Sequence, residues 1–169
     1  MHDANLVMNL YKLLADGKLD KPKFCQMLVR ALVQESGSSR ASIWWYSGEL
    51  RDEIVCQTLF DTADNAWVDG AVLREDEYPE YFQAMLGDRR IVAPDARNHP
   101  ACMCFNENFQ EPLNIYSRVD MAIGDQDAEL GILTCEMAGS PKIWTDTDVL
   151  FIQQVAAMIA MGCRKGLLN

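Results

Sequence analysis

No apolar run in this sequence approaches the ~20 residues that a helix needs to cross a bilayer. The opening residues, MHDANLVMNL, also lack the basic and then apolar order of a secretory leader. Positive charge is scarce: 15 Lys and Arg stand against 25 Asp and Glu, for a net charge of −10. That deficit argues against nucleic acid, because few cations are free to neutralise phosphates. Acidic membrane surfaces are disfavoured for the same reason. Histidine is limited to His2 and His99. One cluster, His99, Cys102 and Cys104, invites a metal, yet no second closely spaced pair exists to close a zinc site, so none is expected. A Ser-His-Asp arrangement, a phosphate-cradling glycine loop and a paired catalytic carboxylate motif are also missing. So are repeats, low-complexity tracts and linkers.

What is there reads as one globular domain over residues 1–169, with enough chain for a real core. Hydrophobic residues at 49% and charged residues at 24% are ordinary values for such a domain. The expected compartment is the cytosol, where the six cysteines remain reduced thiols.

The chain is organised around residues 117–160. Two apolar runs, RVDMAI and ELGILTCEM, flank a Gly-Asp-Gln-Asp cluster, which predicts an antiparallel hairpin. Thr145 with Asp148 three residues later forms an Asp version of the capping box, opening a helix VLFIQQVAAMIAM. A helix so apolar must be covered on more than one side. Upstream, Leu6 to Leu14 predict an N-terminal helix within residues 1–16. A second helix is capped by Asp20, carries Pro22 in its first turn and stops at Gly37. RASIWWY from Arg40 and the run from Arg51 to Phe60 predict two strands, with Ile54, Cys56 and Thr58 on one face. Residues 61–73 are polar and irregular, with Val72-Leu73 at most a short strand. A helix from Pro79 ended by Gly87, a strand Arg90 to Ala93, and one or two helical turns after Pro100 complete the pattern. The fold class is α+β, an antiparallel sheet with helices on both faces.

Several segments together resemble a bacterial GAF domain of the signalling type. Ile91, Ala93, Asp95 and Ala96 fit its "I.A.DA" stretch; Ser117, Asp120 and Ile123 fit its "S.LD.PI" strand. Gly131, Leu133 and Glu136 fit "G.L..E", and Trp144, Asp148, Phe151 and Ala156 fit the run into the last helix. Lys142 and Ala122 depart from the usual Arg and Pro. The match runs from roughly Pro22 to Met161. The resemblance implies a sheet of about six antiparallel strands, N- and C-terminal helices on one face, and an irregular helical segment over a small-molecule pocket on the other. It also implies a non-catalytic sensory role in signal transduction, either as a free-standing protein or as a module fused to an output domain, with the ligand or cofactor unnamed. A pure scaffold with a collapsed pocket is a further possibility.

The rival reading is a thiol-dependent reductase of a small oxidised metabolite such as free methionine sulfoxide, with Cys102 and Cys104 as its thiols. Some relatives attach a tetrapyrrole through a Cys near the position of Cys104, commonly followed by His; here Phe105 follows. Tyr78, Tyr81, Phe82, Phe105 and Phe109 either line a ligand pocket or pack the middle segment onto the sheet. Trp44 and Asp95 join the candidate ligand set.

Strand alternation makes a sharper claim. Arg118, Asp120 and Ala122 share one face, and Thr134 with Glu136 shares it on the partner strand. Pairing the apolar sets puts Arg118 across from Glu136 and Asp120 across from Thr134, facing the middle segment. Arg118 then either pairs wholly with a carboxylate or keeps a donor for an anionic ligand. Apolar residues of the last helix beyond one stripe, Leu150, Phe151, Ala157, Met158 and Met161, predict a homodimer through the terminal helices.

Overall fold

The computed structural model describes residues 1–168. Two capped helices open the chain. Asp3 caps α1 (Ala4–Ala15), its carboxylate accepting from the Asn5 N–H at 2.9 Å. Asp20 caps α2 (Lys21–Ser36) in the same way, accepting from Lys23 at 2.9 Å. Pro22 sits in the first turn, where a missing N–H leaves no bond unmade. Gly37 ends the helix at φ 67°, a left-handed conformation that glycine adopts without strain.

The strands are β1 (Arg40–Ser47), β2 (Glu53–Asp61), β3 (Ala66–Val68), β4 (Val72–Arg74), β5 (Arg90–Ala93), β6 (Ile115–Gly124) and β7 (Glu129–Ala138). They form one antiparallel sheet in the order β3-β2-β1-β7-β6-β5, with β4 also pairing β2. The expected α+β fold with a central antiparallel sheet is the one observed. The last helix, α4 (Asp146–Arg164), carries the capping box: Asp148 N–H donates to Thr145 Oγ1 at 3.1 Å, and Thr145 N–H donates to the Asp148 carboxylate at 3.0 Å.

Three local expectations are corrected. Residues 61–73 are not wholly irregular: β3 pairs one end of β2, while Val72-Leu73 lies, as expected, in a short strand, β4, which pairs the other end along the same edge. Helix α3 (Pro79–Asp88) runs through Gly87 and stops at Arg89, held at φ 62°. That strain is tolerated because the Arg89 guanidinium donates to Glu129 at 2.6 Å and to the Gly124 carbonyl, tying the turn to the β6–β7 hairpin. Thr58 does not share a face with Ile54 and Cys56. A bulge inserts Gln57, so Thr58 lies across from Ile43 while Cys56 lies across from Trp44.

The sheet has two apolar faces. Val119, Met121, Ile123, Leu133 and Cys135, with Ile43 and Phe60, are buried in one cluster with α1, α2 and α4. On the other face Ile54, Ile91 and Ile132 pack against Tyr81, Phe82 and Phe105. The excess apolar surface of α4 is met largely within the chain. Phe151 is stacked by His2 with ring centroids 4.7 Å apart, Met158 is buried, and Leu150 remains 52% exposed. The premise for a dimer is therefore weaker than the helix sequence alone suggests. No helix among the described residues is long and apolar enough to cross a membrane.

Candidate ligand cavity between the sheet and the middle segment

The site follows from strand register. Arg118 pairs with Glu136 and Glu136 with Arg40, so these three side chains form one row across β6, β7 and β1. Asp120, Thr134 and Ser42 form the next row, and Ala122, Ile132 and Trp44 a third. The predicted pairings of Arg118 with Glu136 and Asp120 with Thr134 are both observed. Above these rows lies the middle segment, where α3 supplies Tyr81, a tight 3-10 turn supplies Phe105 (in Met103–Phe105) and a wider π-helical turn supplies Phe109 (in Asn106–Gln110).

Asp120 is fully buried and anchors the polar rows. Arg118 donates to it through Nε at 2.7 Å and Nη2 at 2.8 Å, a bidentate pair. The Tyr81 hydroxyl and the Thr134 hydroxyl each donate to Asp120 Oδ1 at 2.8 Å. Burial alone would lower the Arg118 pKa, but the Asp120 carboxylate and then Glu136 outweigh it and hold the group well above its usual value. Burial, followed by the Asp120 charge, pushes the Tyr81 phenol well above its usual value, so it stays a donor. The Arg118 guanidinium also lies under two rings, 4.9 Å from the Phe105 centroid and 5.4 Å from that of Tyr81. Its expected carboxylate partner is thus found, and the bidentate bond goes to Asp120 on the same strand. Glu136, directly across, is 3.5 Å from Nη1.

A cavity of about 170 Å³ lies between the rows and the segment. Of the predicted ligand residues, Trp44, Tyr81, Phe105, Phe109, Arg118, Thr134 and Glu136 line it. Asp120 lies just behind, spent on Arg118, Tyr81 and Thr134. Phe82 and Asp95 are not brought into the lining. Phe82 is buried against Tyr46, with ring centroids 6.5 Å apart, and Asp95 is exposed and accepts a hydrogen bond from Asn98 in its own turn. Arg40, Ser42, Ile54, Leu59, Val68, Ala71, Leu73, Leu113 and Ile115 complete the wall and were not predicted. The alternation of RASIWWY already puts Arg40 and Ser42 on the face of Trp44, a usable signal. Val68, Ala71 and Leu113 come from short or irregular stretches without a period to read.

Arg40 is largely buried beside Asp61, at 3.2 Å, and Glu136, at 3.6 Å. Neither contact has hydrogen-bond geometry, and Arg40 Nε and Nη1 are buried without a hydrogen-bond partner. Ser42 Oγ accepts from the Trp44 indole N–H at 2.8 Å.

None of the six cysteines lines the cavity. Burial pushes the Cys102 thiol up to about 12, against the lowering effect of Arg118, and raises Cys104 as well. Cys104 is half-buried and donates its S–H to the Ala101 carbonyl at 3.6 Å. Both thiols are therefore protonated and poor nucleophiles at neutral pH, which removes the physical support for the reductase reading. Iodoacetamide at pH 8 is expected to leave Cys102 unmodified in the native protein and to label it only after unfolding, as read by peptide mass spectrometry. Rapid native labelling of Cys102 would contradict this. No group of three or more His, Cys, Asp or Glu suited to a metal occurs among the described residues.

A profile of the GAF domain matches residues 20–162, and the chain belongs to that family. No curated protein is significantly similar in sequence. Among solved structures, the phycoerythrobilin-bound GAF domain from a cyanobacterial phytochrome is similar with a TM-score of 0.75 at 12% identity, covering 98% of both chains. A far-red cyanobacteriochrome photoreceptor gives 0.74 at 12% identity, over 96% of this chain and 95% of that one. The GAF domain from an Acinetobacter phosphoenolpyruvate-protein phosphotransferase gives 0.71 at 10% identity, over 99% and 94%. At these identities the likeness is one of fold.

Proposed function

We propose that this chain is a sensory GAF domain that holds a small molecule between β1, β7, β6 and the middle segment, without turning it over chemically. The observation that carries this reading is the cavity itself, walled by aromatic and aliphatic side chains and closed at one end by Arg40, Glu136 and Arg118 in strand register. Solved GAF relatives that carry bilins support a ligand on this fold. Occupancy would fix the middle segment against the sheet and pass to an output domain or partner protein, the whole chain working as one such unit in the cytosol. Against a homodimer through the terminal helices, the only large apolar side chains exposed on α1 and α4, among the described residues, are Met8 and Leu150.

Ala71→Trp tests the reading, because Ala71 lines the cavity from an exposed loop where a larger side chain can be accepted without loss of the core. Native mass spectrometry is expected to show a retained small molecule on the wild type and none on Ala71→Trp. Ligand added at 100 times its Kd stabilises the native state by about 2.7 kcal/mol, and that gain is expected to vanish in the variant. Equal added mass and equal stabilisation in both proteins would overturn the assignment of the cavity.

A further inference from the structure

Resting on the sensing reading, we propose that the cavity takes a neutral one-ring aromatic molecule whose single polar substituent both accepts and donates a hydrogen bond, such as a phenol or an aromatic carboxamide. Size comes first. A dry apolar cavity of roughly 150 Å³ holds one benzene ring, and this one measures about 170 Å³. A four-ring bilin of the kind held by the phytochrome relative does not fit that volume. Shape agrees: Trp44, Tyr81, Phe105 and Phe109 supply flat walls, and Ile54, Leu59 and Leu73 add aliphatic ones.

The polar end selects the substituent. Its donors are not spent on hydrogen bonds: Arg40 Nε and Nη1 are buried and make none, although Asp61 lies 3.2 Å from Nε and Glu136 3.6 Å from Nη1, and the Ser42 hydroxyl accepts from Trp44 while its own proton has no acceptor among the described residues. A ligand oxygen satisfies them. It also contains an unfilled acceptor. Glu136 has guanidinium nitrogens at 3.5 and 3.6 Å, yet neither contact is a hydrogen bond, so its carboxylate can receive one from the ligand. Charge then decides between neutral and anionic heads. Three carboxylates, Asp61, Asp120 and Glu136, already face two guanidiniums, Arg40 and Arg118, and Arg118 is committed to Asp120. An anionic head would be a fourth negative charge beside Glu136. A hydroxyl or carboxamide meets both needs without that cost.

The Trp44 indole N–H, bonded to Ser42 at the cavity wall, reports occupancy in a heteronuclear NMR titration of the full chain. The probes are phenol, benzamide, benzoate and toluene. Phenol and benzamide are expected to shift the Trp44 signal saturably and to bind at least about tenfold more tightly than benzoate or toluene. Glu136→Gln is expected to bring benzoate to within about threefold of phenol. Should Glu136→Gln lose its fold, Ser42→Ala serves instead, weakening phenol relative to toluene by about threefold to tenfold. Benzoate binding as tightly as phenol, or toluene doing so, overturns the proposal. So does an unmoved Trp44 with all four probes. If the protein then still retains a larger molecule that Ala71→Trp expels, the ligand class fails and the sensing cavity stands. If nothing is retained either, both fall.

Discussion

Arg118→Met is expected to lower the free energy of unfolding by about 3–5 kcal/mol, the cost typical of leaving one buried charge without its partner. Asp120 has no solvent exposure and receives four hydrogen bonds, two of them from Arg118. Methionine keeps much of the stem's packing under Tyr81 and Phe105, so the loss isolates the charge. The double variant Arg118→Met/Asp120→Leu removes the unpaired carboxylate and is expected to be more stable than Arg118→Met alone. It does not return to wild type, because the Tyr81 and Thr134 hydroxyls lose their acceptor at about 1–3 kcal/mol each. Glu136→Gln is expected to cost less than Arg118→Met, since its guanidinium contacts are long and its side chain is 11% exposed. Urea unfolding with an unchanged slope supplies the values, and the double-mutant cycle supplies the coupling. A loss below about 1 kcal/mol for Arg118→Met would show that Asp120 does not depend on Arg118 as its partner in the native state.

The same two residues show how far a sequence can be read. The β6–β7 hairpin was legible to the residue because it carries two separable sets. An apolar set must be buried under helices, and a polar set must then face the other way, which leaves one register. What alternation could not supply is the direction of the bond. Arg118 reaches along its own strand to Asp120, two residues on, a choice made by the guanidinium's fork and by the rings above it.

Alternation also fails wherever a strand breaks step. The insertion of Gln57 turns Thr58 toward the helices, and β-branched, polar Thr58 gives no sign of it in the sequence. β3 has three exposed residues and β4 only three in all, lengths too short for a period to emerge, yet Val68 and Leu73 wall the cavity. The aromatic candidates divide on helix geometry: Tyr81 and Phe82 are adjacent in α3, so only one of them can point at the cavity. Asp95 sits in a matching family motif but spends itself on a turn with Asn98. Arg40 was within reach, since its strand opens a run whose alternation was clear. Its place in the row needed the β1–β7 pairing, a contact between residues nearly a hundred positions apart.

Phe105→Ala is expected to cost about 3–5 kcal/mol, as large-to-small changes in a filled core do, and to loosen the cavity's roof before its floor. Phe105 is 1% exposed and stands where the middle segment closes on the sheet. Its ring centroid lies 4.8 Å from those of Tyr78 and Tyr81, 6.0 Å from that of Phe109, and 4.9 Å from the Arg118 guanidinium. The turn that carries it is short, with the Phe105 N–H donating to the Cys102 carbonyl at 3.0 Å. Besides Phe105 that turn buries only the small Cys102 side chain fully, since Met103 is 51% exposed. Hydrogen exchange is therefore expected to speed up across residues 95–113 while β1, β6, β7 and α4 keep their protection, because the segment and the helix-backed sheet open as separate units. Phe82→Ala is the matched control. It deletes an equally buried ring of the same cluster that does not line the cavity, so it is expected to cost a similar amount of stability while leaving ligand affinity within about threefold of wild type. Phe105→Ala, by contrast, enlarges the cavity by a ring and is expected to weaken a one-ring ligand at least about tenfold. Uniform loss of exchange protection over the whole chain, or equal binding by the two variants, would show that the middle segment is an integral part of one cooperative core and not the movable wall of a site.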